Sequence, residues 1–505
     1  MLIYKIKYHK YTYLCHRAES EAGVWSATVG TAYKMYVIRL YFGHLFSLEW
    51  RKTVEKEFDR IPVWKLTIRL GIPAMAAQFF NIMYSIVDRI YLGHMKESAE
   101  LALASVGVCA PAFTAITGFA SLVGVGGAAL MSISLGEQNK EKAQKAMNNS
   151  LLMLILVSVV LTGILLAVKK PLLFLLGCSD RMYPLAGTYF TIYSIGTFAV
   201  ICGTGLNRFI MGQGCAKEGM FSIAIGAVIN IVLDPVFIFF LRMGIAGAAL
   251  ATVISQICVL IYVTVVLLRK KMVVRIGFGT YDLHICMRIL GIGSMPCLIV
   301  FLDNILIILL NAMLRKYGGA MGDQYISDAA VVQSVMVIAI CPAEGLTNGC
   351  SALFGYYYGA KNYKRILQSF YCVLAACAVY LGLLTVVTQI WPQSFAKLFL
   401  SDQAAIRLTS DFIRKYALGI IFIAIQFAFV DGFTAMGMVK EAIPISLVRK
   451  SLYVIATFIL PVISSLEDIF YASSFADIAG AIFTLVLFFA VLKPRLKRSI
   501  CSSGN

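Results

Sequence analysis

Five acidic residues stand deep inside long apolar stretches: Asp88, Asp234, Asp303, Glu344 and Asp431. A charge at the centre of a bilayer costs roughly 2.5–3.5 kcal/mol on translocon-insertion scales, so such residues mark ion or substrate paths by default. The run Asn230-Ile231-Val232-Leu233-Asp234-Pro235 puts an amide and a carboxylate at i and i+4, on one helix face. Together they can hold a proton through hydrogen bonds or ligate Na⁺ with oxygens. Pro235 has no backbone N–H to donate, which loosens the helix there. Asn207 offers a further amide to the same ion. Asp88 is followed by Arg89, but adjacent helical residues do not face each other. Asp303 and Asp431 are expected to line a cavity and favour cations. Glu344 follows Cys341-Pro342-Ala343, where a broken helix would leave it near water. Phe80 and Tyr84 are expected to add an adaptable apolar wall to that cavity.

The elements that must position these residues are membrane helices. The chain has 505 residues, of which 60% are hydrophobic and 14% charged, against roughly 25% charged in a soluble domain. Twelve apolar segments reach the length of about 20 residues that a bilayer requires: 68–92, 103–131, 149–168, 184–211, 220–241, 244–268, 289–314, 328–355, 367–390, 413–436, 446–465 and 470–492. The fold class is therefore an all-α polytopic membrane protein. Residues 1–60 hold no clean span and read as an extension, or as sequence upstream of a natural start near Val54. The net charge of +18 would suggest nucleic acid in a soluble chain; here it reports topology, and no nucleic-acid partner is expected. With the N-terminus inside, the inner loops and tail sum to +15 and the outer loops to +1, which predicts cytoplasmic termini and a basic tail at 493–505. Thirteen cysteines are scattered singly, with no CxxC pair, which argues against a metal cluster or a disulfide framework. The spans hold no histidine beyond the terminal His94, leaving little with which to build an enzyme's nucleophile and base.

The chain also repeats itself. Pro73 and Pro296 differ by 223 positions, and the same offset links Gly126 to Gly349, Gly136 to Gly359, Asn139 to Asn362, Gly214 to Gly437 and Lys217-Glu218 to Lys440-Glu441. Two homologous sets of six spans result, an N-lobe over 61–268 and a C-lobe over 289–492, joined by a basic linker at 269–288. An even number of spans makes the repeats parallel, with a pseudo-twofold along the membrane normal and a central cavity between the lobes. That architecture is expected of an alternating-access transporter. The repeat also shows asymmetry: Asp88 corresponds to Asn311 and Asp234 to Thr457, so ion coupling is expected in the N-lobe.

Several of these pieces resemble the multidrug and toxic compound extrusion (MATE) family of the wider multidrug/oligosaccharidyl-lipid/polysaccharide exporter superfamily, in its prokaryotic branch. They are Ile72-Pro73 with Met83-Tyr84-Ser85-Ile86-Val87-Asp88, Ala104-Ser105-Val106-Gly107, Pro111, Gly124-Val125-Gly126-Gly127, Gly212-Gln213-Gly214 and Asn230 to Pro235. The resemblance covers about 60–495. It implies a monomeric antiporter in the cell membrane that exports amphiphilic, often cationic, small molecules in exchange for H⁺ or Na⁺, without a cofactor. It also implies that Asp88, Asp234, Asn230 and Asn207 form the ion network. Arg89 and the spacing of Asp303 depart from the family pattern. A lipid-linked oligosaccharide flippase of the same superfamily is the alternative, for which a basic cavity is expected.

Overall fold

The computed structural model describes residues 58–95, 99–400 and 402–494. The chain divides into two compact units at Ile61/Pro62, and the second is described here. The extension and most of the basic tail lie outside the described residues.

Helices account for every regular element among the described residues. The first half runs α1 (Val63–Gly93), α2 (Ala99–Gly136), α3 (Lys140–Ala167), α4 (Tyr183–Ile195), α5 (Thr197–Gly212), α6 (Ala216–Pro235) and α7 (Ile245–Leu268). The second runs α8 (Leu283–Gly318), α9 (Gly322–Gly359), α10 (Tyr363–Ile390), α11 (Gln403–Ala417), α12 (Ile420–Ala435), α13 (Val439–Ile463) and α14 (Tyr471–Leu487). Ten helices are long and apolar enough to cross a membrane singly. Two pairs, α4 with α5 and α11 with α12, are bent by 50° and 44°, and counting each as one span gives twelve. Gly196 and Gly419, again 223 apart, stand at the two breaks.

The repeat extends to backbone conformation. Asn139 and Asn362 cap α3 and α10, each accepting a backbone N–H with its side chain. The residues before them, Gln138 and Lys361, both adopt positive φ, 58° and 53°.

Glycines let the two halves meet backbone to backbone. A methyl on Gly136 would collide with the Tyr356 carbonyl oxygen, and one on Gly359 with that of Ile133. These two contacts exchange under the offset of 223, so the crossing of α2 and α9 lies on the pseudo-twofold axis. Further along, Gly126 and Gly293 press on α8 and α2, while the equivalent contacts of Gly349 and Gly345 press on α1. The first turns of α1 therefore pack on the opposite half. Beyond Pro73 the helix joins its own half, where Tyr91 meets Phe239 edge-on at 6.3 Å.

The linker is strapped to the first half by amide side chains. Gln213 exchanges two hydrogen bonds with the Val274 backbone, at 3.1 and 2.9 Å. Gln144 does the same with Arg275, at 2.6 and 3.3 Å. Asn149 then accepts from the Asp282 N–H at 2.9 Å, at the start of α8.

Gly136→Ala and Gly359→Ala are expected to lower the melting temperature in detergent by several degrees, because overpacking against backbone has no soft neighbour to yield. Gly163→Ala, whose methyl would meet nothing within 4 Å, is the control and should leave it unchanged.

Candidate functional site

The interior holds two polar regions. The first lies within the first half. Asp88 is 8% exposed, Asn230 1% and Asp234 fully buried. The Asn230 amide donates to Asp234 Oδ1 at 3.3 Å and to Thr252 Oγ1 of α7 at 3.4 Å. Three oxygens here are buried without a hydrogen-bond partner: Asp88 Oδ1, Asn230 Oδ1 and Asp234 Oδ2. Asp88 forms no close ion pair with Arg89, which is exposed. Asp88 and Asp234 lie within each other's electrostatic reach, and the Tyr84 hydroxyl feels both. Tyr189 and Tyr193 of α4 complete the wall, with Phe113 stacked on Tyr193. Just beyond Asp234 and Pro235, Val236–Phe240 forms a π-helix. Such a set of acceptors suits a proton or an oxygen-loving monovalent cation.

Two expectations change here. Asn207 does not join the group: its Oδ1 sits against Gly219 in the first turn of α6, and Asn230 lies eleven residues, roughly 16 Å, further along that helix. Tyr84 belongs to this acid group rather than to the central cavity, because it stands one turn from Asp88 on the same face.

The second region is a cavity of about 630 Å³ between the halves, lined from α2, α5, α8, α9 and α11 to α14. Asp303, Glu344 and Asp431 line it. Phe80 does not; it lies on an exposed face of α1, eight residues from Asp88. The cavity is less acidic than its three expected carboxylates alone would make it. Arg208, Arg449 and Lys450 share the lining. Lys450 pairs with Asp303. Arg449 Nε donates to Asp477 Oδ1 at 2.7 Å, and Asp477 is fully buried. Thr347 donates to Asp431, and Asn348 to Glu344 at 3.5 Å.

Sequence reasoning singled out only the acids deep inside spans and missed these bases and Asp477, which stand near the ends of the spans at 184–211, 446–465 and 470–492, where a charge ordinarily serves the adjoining loop. α13 begins at Val439, so Arg449 and Lys450 stand nearly three turns inside it. The repeat held the signal: at an offset of 223 they correspond to Gly226 and Ala227, inside the fifth span. A second buried acid that sequence reasoning missed is Asp328, the first residue of the span at 328–355. It accepts from Thr409 at 3.0 Å and from Gln324 at 3.3 Å.

Arg449→Ala should strand the buried Asp477 charge and cost about 3–5 kcal/mol. It should be read as a large fall in melting temperature, and R449M/D477L should recover most of it.

Comparison with known proteins adds a family. The sequence model of the family described as MatE matches residues 73–236 and 298–459. Multidrug export protein MepA of Staphylococcus aureus (strain N315) is 21% identical over 441 residues, covering 87% of this chain and 96% of that protein. MepA of Staphylococcus haemolyticus (strain JCSC1435) is 22% identical with the same coverage. A solved structure described as the outward-facing conformation of a multidrug resistance MATE family transporter superposes with a TM-score of 0.82, at 21% identity, over 88% of this chain and 98% of that one. A transporter of the same superfamily from Pyrococcus furiosus, described by a reverse polarity of its binding pocket, superposes with a TM-score of 0.80 at 21% identity, over 87% of this chain and 98% of that one.

Proposed function

Because this chain belongs to the MatE family of membrane transporters, we propose that it is a multidrug exporter that exchanges small amphiphilic cations for H⁺ or Na⁺ by alternating access. The observation that carries the coupling is the set of three unpartnered, buried oxygens on Asp88, Asn230 and Asp234. Two carboxylates in a low-dielectric site gain strongly from taking up a cation, since their mutual repulsion is then relieved. Uptake removes negative charge from the first half and changes what α1 packs against, because Asp88 and Tyr84 are on it. Thr252 is a further oxygen ligand within reach of Asn230. Protons supply the same neutralisation through the carboxylates alone.

Alternating access is supported by the geometry of the crossing. Gly136 and Gly359 end α2 and α9 at the loops assigned to the cytoplasm from their charge. The halves are pressed together there, so the conformation reads as outward-facing. Orientation in the cell membrane with both termini inside, and action as a monomer, are part of the same proposal.

A flippase of lipid-linked oligosaccharides would use free bases to hold a phosphate headgroup. Arg208, Arg449 and Lys450 line the cavity, but Arg449 and Lys450 are tied to carboxylates, which favours export of cations over that reading.

Asp234→Asn is expected to abolish ion-driven drug accumulation in everted vesicles while leaving expression intact. Undiminished transport by that variant overturns the coupling role. Uptake of a fluorescent cationic dye into proteoliposomes, under separately imposed pH and Na⁺ gradients, identifies the ion; no uptake under either gradient overturns the antiport reading.

A further inference from the structure

Arg208 and Asp431 are the same position in the two repeats, 223 residues apart. Equivalent positions beside a twofold axis face one another. Here both line the cavity between the halves, on α5 and α12, and they carry opposite charges. Each lies in the other's field, and Glu344 of α9 lies in the field of Arg208 as well.

The charges around this group do not balance. Of the cavity's three bases, Arg449 and Lys450 have carboxylates of their own in Asp477 and Asp303. One guanidinium is left for two carboxylates, Glu344 and Asp431. The hydroxyl of Thr347 and the amide of Asn348 donate to those carboxylates and hold them in place on the cavity wall. Neither donor adds charge. The site is therefore short of one positive charge, and the walls around it are apolar or aromatic: Met211, Met336, Phe427 and Tyr453 are among them. A lipophilic monovalent cation matches both features, through charge and through contact with aromatic and thioether groups.

We propose that Arg208 is a built-in competitor for the exported cation: the cation binds at Glu344 and Asp431 by taking over their field from Arg208, and in doing so releases a charge tether between the two halves. The inference rests on the export reading above and adds to it the residue that links occupancy to movement. Before binding, Arg208 on one half attracts two carboxylates on the other across the cavity, without a direct ion pair to either. A bound cation screens that attraction. The tether is then weak only when the cavity is loaded, which is the condition under which the halves must rearrange. Arg208 thus sets the affinity downward and couples loading to motion, without being a ligand of the cation itself.

The test is equilibrium binding of tetraphenylphosphonium to the full-length protein in detergent. Arg208→Gln is expected to bind roughly tenfold more tightly than wild type, because the competing charge is gone. Glu344→Gln and Asp431→Asn are each expected to bind roughly tenfold more weakly. The repeat supplies a second arm that tolerates poor folding of a single variant. The exchange R208D/D431R keeps one cation facing two carboxylates, and it should bind within about threefold of wild type while either single change binds differently. Wild-type affinity in Arg208→Gln, or weaker binding, overturns the competitor role. A double variant no better than its singles overturns the pairing across the axis. Absence of binding by wild type and every variant overturns the cation-export reading itself, and the inference with it.

Discussion

The governing constraint in this molecule is the contact of two helix backbones on the pseudo-twofold axis. Gly136 and Gly359 each place a bare Cα against a carbonyl oxygen of the other half. Helices in a bilayer gain little from burying apolar surface against one another, because lipid is equally apolar, so close backbone approach is what holds them. The same device recurs along α2 with α8 and α9 with α1. With the halves drawn together at one end, the rest of the interface is left to enclose a cavity, and the charges on its walls must find partners within it.

Those charges divide by half. The first half concentrates acids without bases: Asp88 and Asp234 with amide, hydroxyl and phenol groups around them. The cavity, lined mainly by the second half, concentrates ion pairs. A buried carboxylate without a counter-charge is costly and therefore responsive to any cation; a carboxylate tied to an arginine is costly only when the pair is broken. The two regions differ on that physical basis, and the proposed export assigns them different jobs: ion uptake and release to the first, recognition of the exported molecule to the second.

The repeat explains how one chain came to hold both. Its halves share helix breaks, caps and positive-φ turns at matched positions. They differ in titratable residues: Asp234 stands opposite Thr457, Asp88 opposite Asn311, and Arg208 opposite Asp431. Symmetry supplies the scaffold, while the departures from symmetry supply the chemistry.

Much of this was legible in the residues. Apolar runs of span length determine a bundle of membrane helices, since no other backbone satisfies its own hydrogen bonds there. The constant offset of 223 determines two related halves, and the i, i+4 spacing of Asn230 and Asp234 determines a shared face. Which charges face which was decided only by the tertiary structure. Arg449 and Lys450 stand at the edge of an apolar run, where charges ordinarily face water, yet they lie inside α13 paired with Asp477 and Asp303. Asn207 looks like a partner of Asn230, yet it sits against Gly219 in the first turn of α6, eleven residues along that helix from Asn230. Spacing along a helix is a local property and can be read from the sequence. Neutralisation of one charge by another is a property of distance between helices, and that distance is set by packing.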